Sequence, residues 1–348
     1  MTYGLPSSPA STSIGRLSLV AITLQLLVAC ALPDRRFSIV EENDLFSSGA
    51  GEDRDYSQGL VLAWEADREG TLASVGTAIL KPFDFLDPLG RGEDESLERR
   101  DVRWALEQRI YTPDDLDSPG FVEDQRPFAA ILTLGVRSRH VRLDPDPERR
   151  RDRIHTFGIA AGTTGDAALG ELGQRGTHYL LGEADPPGWP NQIDGEPVLQ
   201  LEWDLRHRVA YGAHGALEWD ATVGGRSELG TAFTNLQSGF DLRLGRELPR
   251  DRRPWTANIP ALALYGFAGA NLRLALHDIT LDGSWLGSSD PELSLEREPW
   301  VAQWTFGVAA EFHGFTVAWR FLRQTKEYER ELGYHDWGTI WLGYRYVF

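Results

Sequence analysis

One cysteine and one methionine in 348 residues are the scarcest features of this sequence. A lone thiol, Cys30, has no partner within the chain, so disulfides play no part in the fold whatever the redox compartment. Long hydrophobic runs are missing as well. Beyond residue 31 nothing approaches the ~18 consecutive apolar residues of a membrane helix, and a hydrophobic content of 41% is too low for a helical membrane protein. Basic charge is also in deficit, with 35 Lys and Arg against 52 Asp and Glu. That balance excludes a nucleic-acid partner, which would need a basic face.

Aromatic residues and glycine are plentiful instead: 12 Trp, 10 Tyr, 15 Phe and 36 Gly. An aromatic- and Gly-rich chain poor in Cys fits an outer-membrane barrel or a soluble sandwich. The first residues read as a leader. Arg16 precedes "LSLVAITLQLLVA", a 13-residue apolar run too short to span a bilayer, with small residues at Ala29 and Ala31. Residues 1–31 are therefore expected to be a signal peptide and 32–348 a single barrel. "LVAC" also fits a lipobox, in which Cys30 would be acylated, although a barrel needs no lipid anchor. Losing Arg16 with the leader leaves 34 basic against 52 acidic side chains, a net charge of −18.

The remaining chain alternates with period two. In "VLQLEWDL", Leu199, Leu201, Trp203 and Leu205 alternate with Gln200, Glu202 and Asp204. "FTVAWRFLR" places Phe315, Val317, Trp319 and Phe321 on one face, "GFDLRLG" does so with Phe240, Leu242 and Leu244, and the last ten residues end on Phe348. Lipid outside, polar lumen inside and every backbone group paired with a neighbour is the pattern a membrane strand needs. A sandwich alternates too, with its faces exchanged; the terminal strand ending on an aromatic favours the barrel.

Strands are expected near 36–43, 56–67, 102–111, 127–141, 152–164, 197–211, 214–228, 233–247, 260–277, 299–313, 315–328 and 336–348. This predicts an all-β, twelve-stranded antiparallel transmembrane barrel, an even count as expected for bacterial outer-membrane proteins. With both termini periplasmic, the odd-numbered connections face the exterior. Residues 212–213 and 314 are then tight periplasmic turns and 144–152 a solvated charged turn, while 68–101 is longer than such a turn needs. Loops 44–55 and 165–196 fall on the extracellular side. The second carries Ala, Leu and Glu at helical spacing from Ala167 to Leu181, after a capping Asp166 and before Gly182 and Pro186-Pro187. On this short loop helix Gln174 and His178 share a face.

"ENDLF", "DRDYSQG", "QRIYTPDDL", "RPFAA", "GELGQRGTH", "GWPNQIDGEP" and "RQTKEYE", with the C-terminal strand, resemble the lipid A 3'-O-deacylase family of outer-membrane proteins from about residue 37 to 348. The resemblance implies a twelve-stranded barrel that removes the 3'-linked acyl or acyloxyacyl chain of lipid A using calcium. It implies a site at Asn43, Asp44, Ser57, Gln174 and His178. Ser57 stands where the family usually has Thr, and Gln125 and Phe128 depart from its usual form of the "DQRPFAA" loop, leaving the role of that loop open.

The chemistry can also be built from the residues. Ester hydrolysis needs a base to activate water and a positive centre for the oxyanion. Imidazole titrates near neutrality, which suits His178. Asp44 and Asn43, with Glu183 or Ser57, offer hard oxygen ligands of the kind calcium accepts. Arg54, Arg126 and Arg175 lie in the same loops and could clamp lipid A phosphates. Duller readings stand beside these: Asx residues at a strand end often start turns, loop arginines are often solvated, and Trp189 in "GWPNQ" reads as interfacial. His140, His155, His207, His214, His277, His313 and His335 lie in or beside strands and read as structural or lumenal. Ser57 could instead be a nucleophile paired with His178, as in an outer-membrane phospholipase of the serine-hydrolase type; a non-enzymatic barrel needs neither residue. The expected partners are lipopolysaccharide and the outer membrane, with the chain acting as a monomer.

Overall fold

The computed structural model describes residues 36–47, 55–66, 70–87, 97–146, 148–250, 262–284 and 295–345. Residues 1–31, expected to be a leader and including Cys30, lie outside these residues, as do Arg54 and Phe348. Twelve strands close into one antiparallel ring: β1 Arg36–Asn43, β2 Asp55–Ala66, β3 Leu97–Thr112, β4 Ala129–Arg142, β5 Arg153–Thr164, β6 Pro197–His214, β7 Leu217–Gly230, β8 Phe233–Arg246, β9 Ala263–Asp278, β10 Trp300–Phe312, β11 Phe315–Gln324 and β12 His335–Arg345. Closure comes from β1, which pairs antiparallel with β2 on one side and β12 on the other, Asn43 facing both Gln58 and Gly338. A ring of this kind leaves no unpaired edge, the condition for a sheet in a solvent that cannot hydrogen-bond.

Alternation then assigns the two faces. Leu199, Leu205, Phe240, Leu242, Leu244, Phe306, Val308 and Val317 are all exposed on the outside of the ring. Their neighbours point into the lumen and pair there. Arg137 bonds Glu202 at 2.7 and 2.8 Å and Glu107 at 3.3 Å. Arg109 reaches Glu107 at 2.6 Å, and Arg226 reaches Glu228 at 2.5 Å. Nearer the end that carries the termini, Asp220 pairs with Arg208 at 3.1 Å and with Arg243 at 2.5 Å. The lumen is a lattice of ion pairs rather than an open channel. A one-residue slip would exchange the faces and put these charges in lipid, at ~2–4 kcal/mol for each Arg near the midplane.

Two expectations need correction. The β6–β7 hairpin turns at residues 215–216, not 212–213, because Gly215 takes the left-handed conformation (φ 62°) that the reversal requires. The 144–152 turn is not wholly solvated, since Asp152 is buried against Arg208 and Arg250. The extra length of the 68–101 connection is taken up, among its described residues, by a helix, α1 (Thr71–Leu80), a 3-10 segment (Lys81–Leu86) and the first residues of β3.

This connection does not enter the lumen. Arg103 and Glu107 of β3 face inward, so Val102 and Trp104 face out, and α1 rests on them: Ala73 and Leu80 pack with Val102, Val136, Phe157 and Ile159. The Trp104 indole donates to Leu72 O at 3.2 Å and the Trp203 indole to Leu86 O at 2.9 Å. "TLASVGTAIL" carries no charge, and its far side shows Val75 and Ile79 to the surroundings. An uncharged helix that exposes Val75 and Ile79 on the outer wall is compatible with lipid beyond it.

Gly76 sets how close α1 comes to the wall, since a Cβ there would lie 2.5 Å from Val102 Cγ1 and 2.9 Å from Val136 Cγ2. Gly76→Leu is expected to lift α1 off the strands without opening the ring. Heat-modifiable gel mobility should stay as in the wild type, while protease cleavage within 70–87 increases; unchanged protection would contradict this packing.

Candidate active site

The site residues are assembled on the outside of the wall, at the rim opposite the termini. Glu42 faces the lumen, accepting from Arg320 at 2.7 Å and from the Tyr56 hydroxyl at 2.6 Å. Its neighbours Glu41 and Asn43 therefore face outward. After Asn43 the chain makes a 3-10 turn, Asp44–Phe46, folded back over the outer surface of β12 and β11. Gly338 permits this, because a Cβ there would sit 2.3 Å from the Phe46 carbonyl carbon, and the Trp319 indole donates to Phe46 O at 3.1 Å. Asn43 and Asp44 are both buried as a result.

On β2 a bulge between Tyr56 and Gln58 changes the parity. Tyr56 stays in the lumen, whereas Gln58 faces out and donates to Glu41 Oε1 at 2.9 Å. Ser57, the bulged residue, is fully buried and shares a hydrogen bond with the Thr112 hydroxyl.

The loop helix, α2 (Gly170–Leu181), lies over the outer face of β3. It begins later than the 167 expected. Residues 165–168 form a 3-10 turn and Leu169 takes a left-handed conformation (φ 59°) before the helix starts, so Asp166 is not its cap. Gln108 of β3 holds this junction by donating to Ala168 O at 2.7 Å and Leu169 O at 3.0 Å. Gly170 and Gly173 let the helix settle on the wall, where a Cβ would come within 2.4 Å of Ala130 Cβ and 2.9 Å of Ile110 Cδ1 respectively. The helix ends at Gly182 (φ 81°), whose N–H bonds His178 O at 2.8 Å.

Placed this way, Thr177 donates to Gln58 Oε1 at 3.1 Å. Gln58 is paired with Asn43 in the β-ladder, so the same residue touches the helix on one side and borders the acid-amide pair on the other. His178 follows Thr177 and is buried. Its Nδ1 lies 2.6 Å from Ala184 O, and because a carbonyl can only accept, Nδ1 carries the proton. That tautomer leaves Nε2 as the basic nitrogen; Glu183 Oε2 stands 3.7 Å from it and is half exposed. One turn earlier, buried Gln174 accepts from the Trp189 indole at 2.8 Å. Trp189 is 1% exposed and packs with Phe128 at 5.1 Å, so it is not interfacial but forms the floor under the helix.

Asn43, Asp44, Ser57, Gln174 and His178 thus share one rim and one corner of the outer wall. Glu183 is positioned by the histidine. Arg126 and Arg175 are not part of this corner. Arg175 is exposed and held by Glu171 at 3.0 Å and Asp185 at 2.9 Å on the far side of α2. Arg126 cannot bind phosphate: it is 0% exposed and enclosed by Glu327 at 2.7 Å, Asp55 at 3.6 Å, Asp278 at 3.8 Å and the Thr280 hydroxyl at 2.6 Å. It knots together the loops over the lumen mouth. Gln125 serves its own loop, accepting from Asp115 N at 2.9 Å. Sequence reasoning missed Glu41, Gln58 and Thr177. Their signal was outward parity beside a motif residue, visible only once the bulge is known.

The 325–334 loop meets this knot with two carboxylates in opposite states. Burial opposes ionisation of Glu327, but the Arg273 and Arg126 guanidiniums hold it down to about 2. Burial, with the charges of Asp55 and Glu327, pushes Glu331 up to about 8.

Comparison with known proteins comes out in one direction. Residues 17–346 match the family described as outer membrane protein LpxR. No curated protein matches the sequence. Among solved structures, LpxR from Salmonella typhimurium superposes with a TM-score of 0.67 at 17% identity, covering 89% of this chain and 100% of that one. The translocator domain of the autotransporter NalP from Neisseria meningitidis aligns with a TM-score of 0.40 at 10% identity, covering 96% of this chain and 97% of that one.

Two consequences of the knot can be measured. Arg126→Ala leaves three carboxylates facing one another and should lower stability by about 3–5 kcal/mol, read as a lower thermal midpoint in detergent; an unchanged midpoint would rule the knot out. Because Glu331 binds its proton more tightly folded than unfolded, its stabilisation is complete below the ordinary carboxylate range and is lost as pH rises through about 8. Wild type should therefore lose thermal midpoint between pH 6 and pH 9 more steeply than Glu331→Gln, and parallel curves would refute that origin.

Proposed function

Since this chain belongs to the LpxR family of outer membrane proteins, we propose that it is a lipid A 3'-O-deacylase, hydrolysing the ester-linked 3' acyl or acyloxyacyl chain in the outer leaflet. The observation that carries this reading is the position of His178: buried on the helix that lies against the outward face of the wall, with Leu172 and Tyr179 of the same helix exposed. A substrate that reaches this face comes laterally, out of lipid, whereas a pore would place its working groups in the lumen. The rim with α2 is then the extracellular one, and the termini are periplasmic.

In the mechanism, the Nδ1–H···O=C bond to Ala184 fixes the imidazole so that Nε2 takes a proton from water attacking the acyl carbonyl. Glu183, 3.7 Å from Nε2, steadies the imidazolium that forms. The imidazolium then returns its proton to the departing sugar oxygen, giving the free fatty acid and the 3'-hydroxyl. Gln174, anchored by Trp189, keeps the helix face in register with the wall. Asn43 and Asp44, with Glu183, would hold a calcium ion: the donors are all hard oxygens, the first two buried side by side at the end of β1. When bound, calcium supplies positive charge for the oxyanion. Ser57 acts as a supporting hydroxyl, since its partner is Thr112; this argues against the serine-hydrolase alternative. Arg175, and Arg54 in the neighbouring loop, are the remaining candidates for the lipid A phosphates. The closed ring needs no second copy, so we take the chain to act as a monomer.

Expression in a host with hexa-acylated lipid A, followed by mass spectrometry of lipid A, tests the reading. Wild type should remove the 3' chain, His178→Ala should slow the loss by ~10² or more, and Ser57→Ala should retain most of it. Intact lipid A together with hydrolysed phospholipids would establish the serine phospholipase instead. No change in either lipid would leave a non-enzymatic barrel.

A further inference from the structure

At the rim that carries the termini, two histidines of the outer wall meet an aspartate from the α1 connection. His140 of β4 and His155 of β5 are cross-strand partners, both buried, with stacked rings 5.9 Å apart. The 3-10 segment after α1 delivers Asp87 between them. Asp87 Oδ2 lies 3.6 Å from His140 Nε2, and Asp87 Oδ1 lies 3.2 Å from His155 Nδ1. The Ser138 hydroxyl stands 3.1 Å from the same His140 Nε2. One ligand atom from each of Asp87, His140 and His155 can be chosen so that all lie within 4.8 Å of one another.

We propose that Asp87, His140 and His155 form a structural site for a divalent transition metal, zinc being the best fit. Two imidazoles and one carboxylate are a set that zinc binds tetrahedrally. Bonds of ~2.0–2.1 Å in a tetrahedron put the ligand atoms about 3.4 Å apart; the carboxylate reaches the two rings through different oxygens, at 3.6 and 3.2 Å, and one atom from each residue already lies within 4.8 Å of the others, so small side-chain shifts bring them to that spacing. A water or the Ser138 hydroxyl completes the shell.

The second such cluster among the described residues, Asp55, Glu331 and His335, lacks this character. Arg126 and the Tyr328 hydroxyl already engage its Asp55. Around Asp87 the metal has a plain task. The α1 connection packs on the wall through an apolar cluster and two indole hydrogen bonds, and a bond from zinc to Asp87 would fasten its end to β4 and β5. The site is at the opposite rim from His178 and independent of the deacylase reading.

The test uses the full-length protein refolded in detergent, stripped with a chelator, exposed to zinc and freed of excess metal by gel filtration. Zinc per chain is then measured for wild type, Asp87→Asn and His140→Gln, each also in a His178→Ala background to remove a contribution from the other rim. Wild type is expected to carry one more zinc per chain than either variant in both backgrounds, and zinc should raise the thermal midpoint of wild type but not of Asp87→Asn. Asp87 lies outside the strands, so that variant reports binding even if His140→Gln folds poorly. Equal zinc content in wild type and Asp87→Asn would overturn the proposal.

Discussion

The pairing of β1 with β12 is the contact on which the rest of the molecule depends. In lipid every backbone N–H and C=O must find a partner inside the protein, and the ring closes only when Arg36–Asn43 is bonded on both sides. Closure divides the side chains into two populations with different solvents. The inner one becomes a lattice of Arg–carboxylate pairs; the outer one is mostly apolar between the rims.

The polar exceptions are informative. Polar groups facing out from a membrane barrel are costly unless shielded, and two sets here lie under appendages. The 3-10 turn at Asp44–Phe46 and helix α2 flank Glu41, Asn43, Gln58 and His178 at one rim. The α1 connection closes over His140 and His155 at the other. Both appendages use small residues to approach the strands, Gly338, Gly170 and Gly173 in one case and Gly76 in the other. Both also use indole N–H groups as anchors, Trp319 and Trp189 against Trp104 and Trp203. The wall serves as a scaffold on its lipid side, while the lumen is given over to holding the ring and its loops rigid.

Arg126 shows how that rigidity reaches the loops. It draws together the 113–128, 279–299 and 325–334 connections by charge and hydrogen bonds. The apolar cluster of Tyr111, Ile131, Val198, Phe233 and Ile279 lies beside it.

Strand number, pairing direction and the inward or outward sense of most strands follow from period-two alternation, because lipid and lumen impose opposite polarity on adjacent residues. The loop helix with its Gln174–His178 spacing was legible for the same kind of reason, period 3.6 between breakers. What the tertiary structure alone decided is where local geometry departs from a period. The bulge at Ser57 turns Gln58 outward and so creates the junction between helix and acid-amide pair. A left-handed Leu169 delays the helix. Arg126, a loop cation in the sequence, becomes a buried hub because three loops distant in the chain bring carboxylates to it. Trp189 is likewise a floor rather than an interfacial ring, and the meeting of Asp87 with His140 and His155 across 53 and 68 positions is beyond any local pattern. Each of these depends on which non-neighbouring segments the closed ring places side by side, and no periodicity along the chain encodes that.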